Sequence, residues 1–362
     1  MTYHYIKKDI RLALASLLGD ARLLDISSQH RNDANVVIDR KRSTSRVHII
    51  GCPDYGNLGD HAIALAERRF IESRIGLEPN MFYGPISLYW DILNHEIQEG
   101  DVICLQGGGN MGTLYESYEN ERLSIIDRFN RNRIVLFPQT ISYGYSAHER
   151  RYIKHVSKVY ERHPDLHLVA RERMSLERMR ALFPSADITL TPDIVLSLLP
   201  FDGMDGVERE GLCLCLRTDK ERKLHEGVAE AFTDAAHGRF GAPFRTDTMH
   251  SSDMLSPGEG ETAVVEKIIE LSKAKLVVTD RIHGMIFCAL SGTPCISLDN
   301  SNGKVGQEYE WLKHLPYMRF ARSVDEAINM LKVDAPEPGR FPSEDFSPLF
   351  DPLTEALSFA LS

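Results

Sequence analysis

The stretch Lys275 to Lys304, KLVVTDRIHGMIFCALSGTPCISLDNSNGK, decides the fold. Leu276-Val277-Val278 is a short apolar, β-branched run of the kind that forms a buried parallel strand. Thr279-Asp280 supplies helix-capping chemistry directly after it, and Met285 to Leu290 continues as an apolar helix former. Gly292-Thr293-Pro294 ends the helix, and Cys295-Ile296-Ser297-Leu298 begins a second buried strand. In this strand–helix–strand unit, Arg281 and His283 fall where strand turns into helix. Ligands of open α/β sheets bind at the carboxyl ends of strands, and a helix start offers unpaired N–H groups to an anion. A guanidinium fork and a side chain that changes charge near neutral pH complete an anion site with an acid/base group beside it.

Outward from this unit the same alternation recurs. Toward the N-terminus, Val47 to Ile50 reads as a strand, followed by GCPDYGNLGDH (Gly51 to His61) and a helix over Ala62 to Arg74. This loop sets Asn57, Asp60 and His61 near a strand end. Asp60 suits helix capping as well as chemistry, and the two roles are compatible. Asp101 to Leu105 is another strand, running into QGGGNMG (Gln106 to Gly112). Gly107, Gly109 and Gly112 satisfy the dinucleotide spacing formally, but the next strand, Ile134 to Phe137, ends in Pro138-Gln139 with no acid for a ribose. The glycines are therefore read as letting the backbone approach a ligand or the other domain closely.

Further elements are expected over Tyr118–Arg128, Ala147–Tyr160, His167–Ala170, Leu176–Leu182 and Ile188–Leu190, with a loop at Pro138 to Ser142. Asp60, Asn110, Gln139, Arg171 and Asp193 are then candidates for one cleft edge. Leu198 to Glu210 lacks periodicity and is the expected linker. A second run starts at Leu212 to Leu216, placing Arg217 at another strand end. Helices over His225–Ala236 and Thr262–Ser272, with a strand near Pro243–Thr246, lead back to the opening stretch. Helices at Gln307–Lys313, Val324–Leu331 and Pro352–Leu361 follow it.

The expected domains are 1–45 (a helix and loop), 46–200, 201–320 and 321–362 (C-terminal helices and tail). In the first of these, Ile6, Ile10, Leu14, Leu17 and Leu18 recur at helical spacing, and Asn32 to Ser45 is a loop. The stripe is expected to pack on the body, with peripheral contact at an acidic membrane surface as the alternative. A net charge of −10 from 42 basic and 52 acidic residues argues against general nucleic-acid binding. No segment has the apolar length of a membrane span, and the N-terminus lacks a signal-peptide core. The six cysteines form no Cys-x-x-Cys pair and are expected buried and reduced, in a cytoplasmic protein. No metal-ligand spacing stands out.

GNLGDHAI (Gly56 to Ile63), LQGGGNMG (Leu105 to Gly112), FPQTI (Phe137 to Ile141), ARERMS (Ala170 to Ser175), TPDIVL (Thr191 to Leu196) and TDRIHG (Thr279 to Gly284) occur in an order and spacing that resembles the polysaccharide pyruvyl transferase family. The resemblance covers Val47 to Lys313. It implies an α/β fold of two Rossmann-like domains facing across a cleft, as in GT-B glycosyltransferases. The N-terminal half is then the acceptor side and the C-terminal half the donor side. It also implies transfer of pyruvate from phosphoenolpyruvate to a sugar as a cyclic ketal, in exopolysaccharide or cell-surface polysaccharide biosynthesis. The acceptor is a sugar or lipid-linked oligosaccharide, handled in the cytoplasm at the inner membrane face. Arg281 and His283 match the family's phosphoenolpyruvate-binding pair, and Arg217 is the best match for a further arginine.

Read onto these residues, two arginines grip the donor's phosphate and carboxylate from separate strand ends, and Lys304, in a glycine- and asparagine-containing loop, adds a point charge. His283 acts as general acid, and Asp60 takes the acceptor's proton. Asn57, Asp60, His61, Gly108, Asn110 and Gln139 are assigned to the acceptor. No metal and no cofactor beyond the donor substrate is expected. His283 could instead be structural, Arg281 could pair with Asp280 or Asp299, and Arg217 with Asp219. A nucleotide-sugar glycosyltransferase or a binder of an anionic metabolite are the competing functions.

Overall fold

The computed structural model describes residues 2–22, 24, 37–39, 46–198, 207–217, 223–225, 227–299 and 303–358. Two compact α/β units group Met1–Asp54, Ala66–Ile194 and Leu349–Ser362 in one, and Tyr55–Leu65 with Val195–Pro348 in the other. The grouping is not a single cut of the chain. The C-terminal helix Asp351–Ser358 belongs with the first unit, and the GNLGDHAI motif belongs with the second. Most of the expected linker, 199–206, lies outside the described residues, as does Asp219.

Strands are numbered along the chain. The sheet of the first unit holds β1 (Val37–Asp39), β2 (Val47–Cys52), β4 (Asn80–Tyr83), β5 (Val102–Leu105), β7 (Arg133–Ser142), β8 (Leu166–Ala170) and β9 (Asp187–Leu190) in the order β1-β4-β2-β5-β7-β8-β9. A further strand, β6 (Gly108–Gly112), pairs with β7. All pairs are parallel except β1 with β4. The chain steps from β2 outward to β4, then returns to the other side of β2 for β5. That reversal makes the carboxyl ends of β2 and β5 the topological switch point. β5 carries Val, Ile, Cys and Leu, and β2 buries Val47, Ile49, Ile50 and Cys52 alongside His48, because both faces of a parallel sheet are covered.

Three expectations change here. A strand, β1, stands inside the expected loop at Asn32 to Ser45, whose remaining residues, 32–36 and 40–45, lie outside the described set. The glycine-rich QGGGNMG run contributes a strand, and its close packing on β7 leaves no room for a side chain at Gly112, where a Cβ would lie 1.9 Å from the Ser142 carbonyl oxygen. And Pro138 to Ser142 is not a loop but the second half of β7. The ladder absorbs proline's missing N–H with a register shift between Leu136 and Gln139.

In the second unit β11 (Phe244–Thr246), β10 (Glu210–Cys215), β13 (Ala274–Thr279), β14 (Cys295–Leu298) and β15 (Met318–Ala321) form an all-parallel sheet in that spatial order. Its switch point lies between β10 and β13. A separate antiparallel pair joins β3 (Tyr55–Asn57) to β12 (Met249–Met254). Neither strand is signalled by alternation in the sequence. Each unit has its own apolar cluster, one around Trp90, Phe82 and Tyr160 and the other around Phe232, Leu276 and Ile296. All six cysteines are buried and free, and burial pushes the Cys215 thiol up to about 12. Among the described residues no helix is long and apolar enough to cross a membrane.

The N-terminal helix, Thr2–Leu18, reverses its expected orientation. Leu12 and Ala15 are buried, whereas Ile10, Leu14, Leu17 and Leu18 are exposed. The small faces of Leu12 and Ala15 fit against the unit, and polar ties complete the seat: Lys8 Nζ to Glu116 at 2.5 Å and Arg11 Nη2 to Asp20 at 3.4 Å. Ile6 lies among residues whose side chains are outside the described set.

Candidate functional site

In the second unit Arg217 follows β10, Arg281 follows β13 and Lys304 opens the helix after β14, Lys304–Leu312. Since β10, β13 and β14 are parallel neighbours, all three cations come to one edge of the sheet, and the two arginines flank its switch point. Lys304 is not in a loop: Gly303, at φ 69°, turns the chain into the helix, and Lys304 is its buried first residue.

The strand-to-helix turn differs from the expected cap. Arg281 is the residue at the helix boundary, with no side-chain cap. The Thr279 hydroxyl accepts from the Arg281 backbone N–H (3.1 Å) and donates to the Cys215 carbonyl (2.7 Å), stitching β13 to β10. Asp280 turns sideways instead, and its Oδ1 accepts the Arg217 backbone N–H at 2.8 Å. The TD pair thus fixes the two arginine-bearing loops to each other. Gly284 allows this packing, because a Cβ there would lie 2.6 Å from the Thr279 hydroxyl and 3.3 Å from the Cys215 sulfur.

Arg281 pairs with Asp247, a partner the sequence did not offer. Its Nε and Nη2 reach the two carboxylate oxygens at 2.7 and 2.8 Å, a fork-to-fork contact on a guanidinium that is only 5% exposed. Asp247 lies in the turn after β11, 34 residues upstream and in no motif, so the sequence carries no signal for it beyond its place after a strand. A groove of about 470 Å³ is lined by Arg217, Asp247, Arg245 and His225 with apolar Leu214 and Leu216.

Asp280 is fully buried, and its Oδ2 has no hydrogen-bond partner among the described residues. Burial holds its pKa above the ordinary carboxylate value, opposed by the Arg217 N–H and the charges of Arg281 and Arg217. A carboxyl raised in the folded state contributes stability that is intact below its unfolded pKa and lost as pH rises through the folded one. Asp280→Asn keeps the Oδ1 acceptor and cannot ionise. Thermal melts across pH should show the variant gaining on the parent as pH rises above about 4. A gap that stays flat or narrows with rising pH rules the effect out.

His283 is half-buried on the first turn of its helix, 6.2 Å from the Phe287 ring. Its imidazole sits where the second residue of helix Leu58–Phe70 would carry a side chain: a Cβ on Gly59 would lie 2.1 Å from His283 Nδ1. The GNLGDHAI motif is held in this position by three further contacts. β3 pairs with β12 over Gly56, whose Cβ would meet the Ser252 carbonyl at 2.5 Å. The Leu58 N–H donates to the Thr248 carbonyl at 2.9 Å. His61, 2% exposed, lies with its Nε2 2.8 Å from the Tyr55 carbonyl and its ring over Gly260, where a Cβ would lie 2.2 Å away.

Asn57 does the capping, its Oδ1 accepting from the Gly59 N–H at 3.1 Å. Its Nδ2 and the Tyr55 hydroxyl both donate to Asp60 Oδ2, at 2.8 and 2.9 Å. Asn57, Asp60 and His61 therefore fall in the unit that holds His283, not in the one the sequence assigned them to.

Gly108, Asn110 and Gln139 remain in the first unit. Buried Gln139 donates from Nε2 to the Gln106 carbonyl (3.0 Å) and to Asn110 Oδ1 (3.1 Å), and Gly108 pairs with it across β6 and β7. Asn110 Oδ1 also accepts from Arg122 Nη2 at 2.7 Å, and Arg122 is paired with buried Glu119. A small pocket of about 30 Å³ at the switch point brings Gln106, Asn110, Arg122 and Glu121 together with Tyr118. Arg122 and Glu119 were not foreseen, because a helix pattern does not tell which of its charged residues turns inward. Arg171 and Asp193 do not line an edge: both are buried, with Arg171 donating to Asp193 (2.7 Å) and to the Thr140 hydroxyl (2.7 Å). This contact ties together the FPQTI, ARERMS and TPDIVL segments. Among the described residues no group of three or more His, Cys, Asp or Glu is arranged to hold a metal ion.

The model of the polysaccharide pyruvyl transferase family matches residues 57–302. The chain is 31% identical over 319 residues to General stress protein 30 of Bacillus subtilis, covering 84% of this chain and 90% of that protein. It is 25% identical over 306 residues to Pyruvyl transferase 1 of Schizosaccharomyces pombe, covering 79% and 75%. A solved structure of an uncharacterized Klebsiella pneumoniae protein superposes with a TM-score of 0.54 at 20% identity, over 77% of this chain and 94% of that one, and shares the fold. The family match spans the segments from Asn57 at the start of the helix that meets His283 to the turn that carries His283 itself, so the chain is a transferase belonging to the polysaccharide pyruvyl transferase family.

Proposed function

We propose that the protein transfers pyruvate from phosphoenolpyruvate to a sugar hydroxyl pair of an exopolysaccharide or cell-surface polysaccharide repeat unit. The reading rests on one observation: two arginines flank the switch point of the second sheet, with His283 two residues beyond one of them. Arg281 and Arg217 bind the donor's phosphate and carboxylate, and Lys304 adds charge from the next strand end.

His283 delivers a proton to the methylene carbon, which becomes the methyl group while positive charge develops at the neighbouring carbon. One sugar hydroxyl attacks that carbon, the bond to the phosphate oxygen breaks, and the second hydroxyl closes the ring. Two carbon–oxygen bonds form and one is lost. Of the two hydroxyl protons, one replaces the proton spent by His283 and the other leaves with phosphate. Asp60, whose Oδ2 accepts from the Tyr55 hydroxyl and Asn57 Nδ2, takes a proton from the acceptor hydroxyl. Asn57 serves the acceptor beside Asp60, and His61 supports the segment that carries both. The reaction takes place in the cytoplasm.

Incubation with phosphoenolpyruvate and a panel of pyranosides, with mass analysis of products, should yield a product heavier by one pyruvate less water, and free phosphate. Release of a nucleotide from a nucleotide sugar, with no phosphate from phosphoenolpyruvate, would establish the glycosyltransferase reading instead.

The Gly59 contact gives a further expectation. Gly59→Ala puts a methyl group into the imidazole, so His283 must move. Displacement of a catalytic group by about 1 Å costs on the order of 100-fold in rate. Turnover should fall by about that much, with phosphoenolpyruvate binding by calorimetry within about threefold of the parent. Unchanged turnover would show that the ring position does not matter.

A further inference from the structure

We propose that the N-terminal helix and the helix Ala147–Arg162 beside it form a docking surface for an anionic lipid bilayer. The proposal stands on the arrangement of side chains in the first unit and does not depend on the assigned reaction.

The apolar stripe of the N-terminal helix faces outward. Ile10, Leu14, Leu17 and Leu18 are 55, 41, 79 and 38% exposed, and their spacing of four, three and one places them on one side. The helix is not simply detached. Leu12 and Ala15 are buried, and Lys8 and Arg11 are tied to Glu116 and Asp20. A helix anchored by its small and polar face while four large aliphatic side chains meet water is the reverse of what folding alone selects.

Cations line the ground next to this stripe. A groove of about 760 Å³ is bordered by Leu17 and Leu18 on one side and by Arg151, Lys154, Lys158 and Arg162 on the other. These four follow one another at helical spacing and are all exposed. Two carboxylates also line the groove. Asp20 is buried against His155 at 2.7 Å and Asp127 is paired with Arg162. A basic row is notable on a chain whose net charge is −10.

Aliphatic side chains on a helix face beside a band of Lys and Arg match the acyl boundary and the phosphates of an acidic leaflet. A second copy of the chain is the other candidate occupant. Docking this face on its own two-fold copy would bring two cationic rows together, which is unfavourable. The charge pattern therefore selects the lipid surface.

The test uses the full chain, sedimented with vesicles of phosphatidylcholine alone or mixed with phosphatidylglycerol. The expected result is co-sedimentation with the mixed vesicles only, weakened by salt. Leu14→Glu with Leu17→Glu, and separately Lys154→Glu with Lys158→Glu, should each reduce it about tenfold or more. All four positions are exposed, so melting temperature should hold, and the basal reaction with a water-soluble acceptor should be unchanged. Failure of the parent protein to bind the mixed vesicles overturns the proposal. So does binding that survives both double substitutions. Light scattering that shows a dimer, converted to monomer by Leu14→Glu with Leu17→Glu, would assign the face to a second copy.

Discussion

Arg281→Ala should raise the KM for phosphoenolpyruvate by about 30- to 1000-fold while leaving the acceptor KM within about threefold. Loss of one member of a buried, charge-assisted contact costs about 2–4 kcal/mol, which sets that range. The guanidinium is 5% exposed, so its charge acts in a poorly solvated setting. Removal also leaves the Asp247 carboxylate without the fork it binds, which by itself destabilises the fold. Arg281→Ala with Asp247→Asn separates these effects: melting temperature should recover, and donor binding should not. Arg281→Lys keeps charge but loses the fork that Asp247 clasps, so the charge is no longer held in place, and should retain at most about a tenth of donor affinity. Equal loss of donor and acceptor binding, or none, would remove Arg281 from the donor site.

His283→Ala should lower kcat by about 100- to 10,000-fold, the range of a positioned general acid, with the phosphoenolpyruvate Kd within about threefold of the parent. His283→Gln fills a similar space without a transferable proton and should fall equally far. That pair separates chemistry from packing, since the ring also fills the space over Gly59. A protein that merely binds an anionic metabolite would show the Kd and no parental turnover to lose. Parental turnover that persists in both variants would place the proton donor elsewhere.

Much of the local order was legible along the chain. Strand–helix alternation is written in apolar runs punctuated by Gly, Pro and polar turns, and β13, helix Ile282–Leu290 and β14 follow the reading of the opening stretch closely. The departures have particular causes. Thr279-Asp280 reads as a cap, yet each side chain is used across the sheet, toward Cys215 and Arg217. Pro138 reads as a strand end, but a bulged register lets β7 continue. The aliphatic stripe of the N-terminal helix reads as a core face and lies in water, because periodicity reveals that a face exists and not what covers it.

The candidate site shows the same division. Arg217, Arg281, His283 and Lys304 could be named from their places after apolar strands. Asp247 and Glu119 could not, since a single acid in a turn or on a helix has no pattern. GNLGDHAI could be recognised, but not that its residues pack with the second unit.

By itself the sequence determined the fold class, the strand ends that carry the cations and the family, because these depend on local periodicity and on ordered short motifs. Only the tertiary structure decided that Arg281 is clasped by Asp247, that Gly59 makes room for the His283 ring, and that β10 and β13 are neighbours at a switch point. Those facts depend on which distant segments share a sheet edge, and that choice is made by packing of whole layers, which no local stretch of chain encodes.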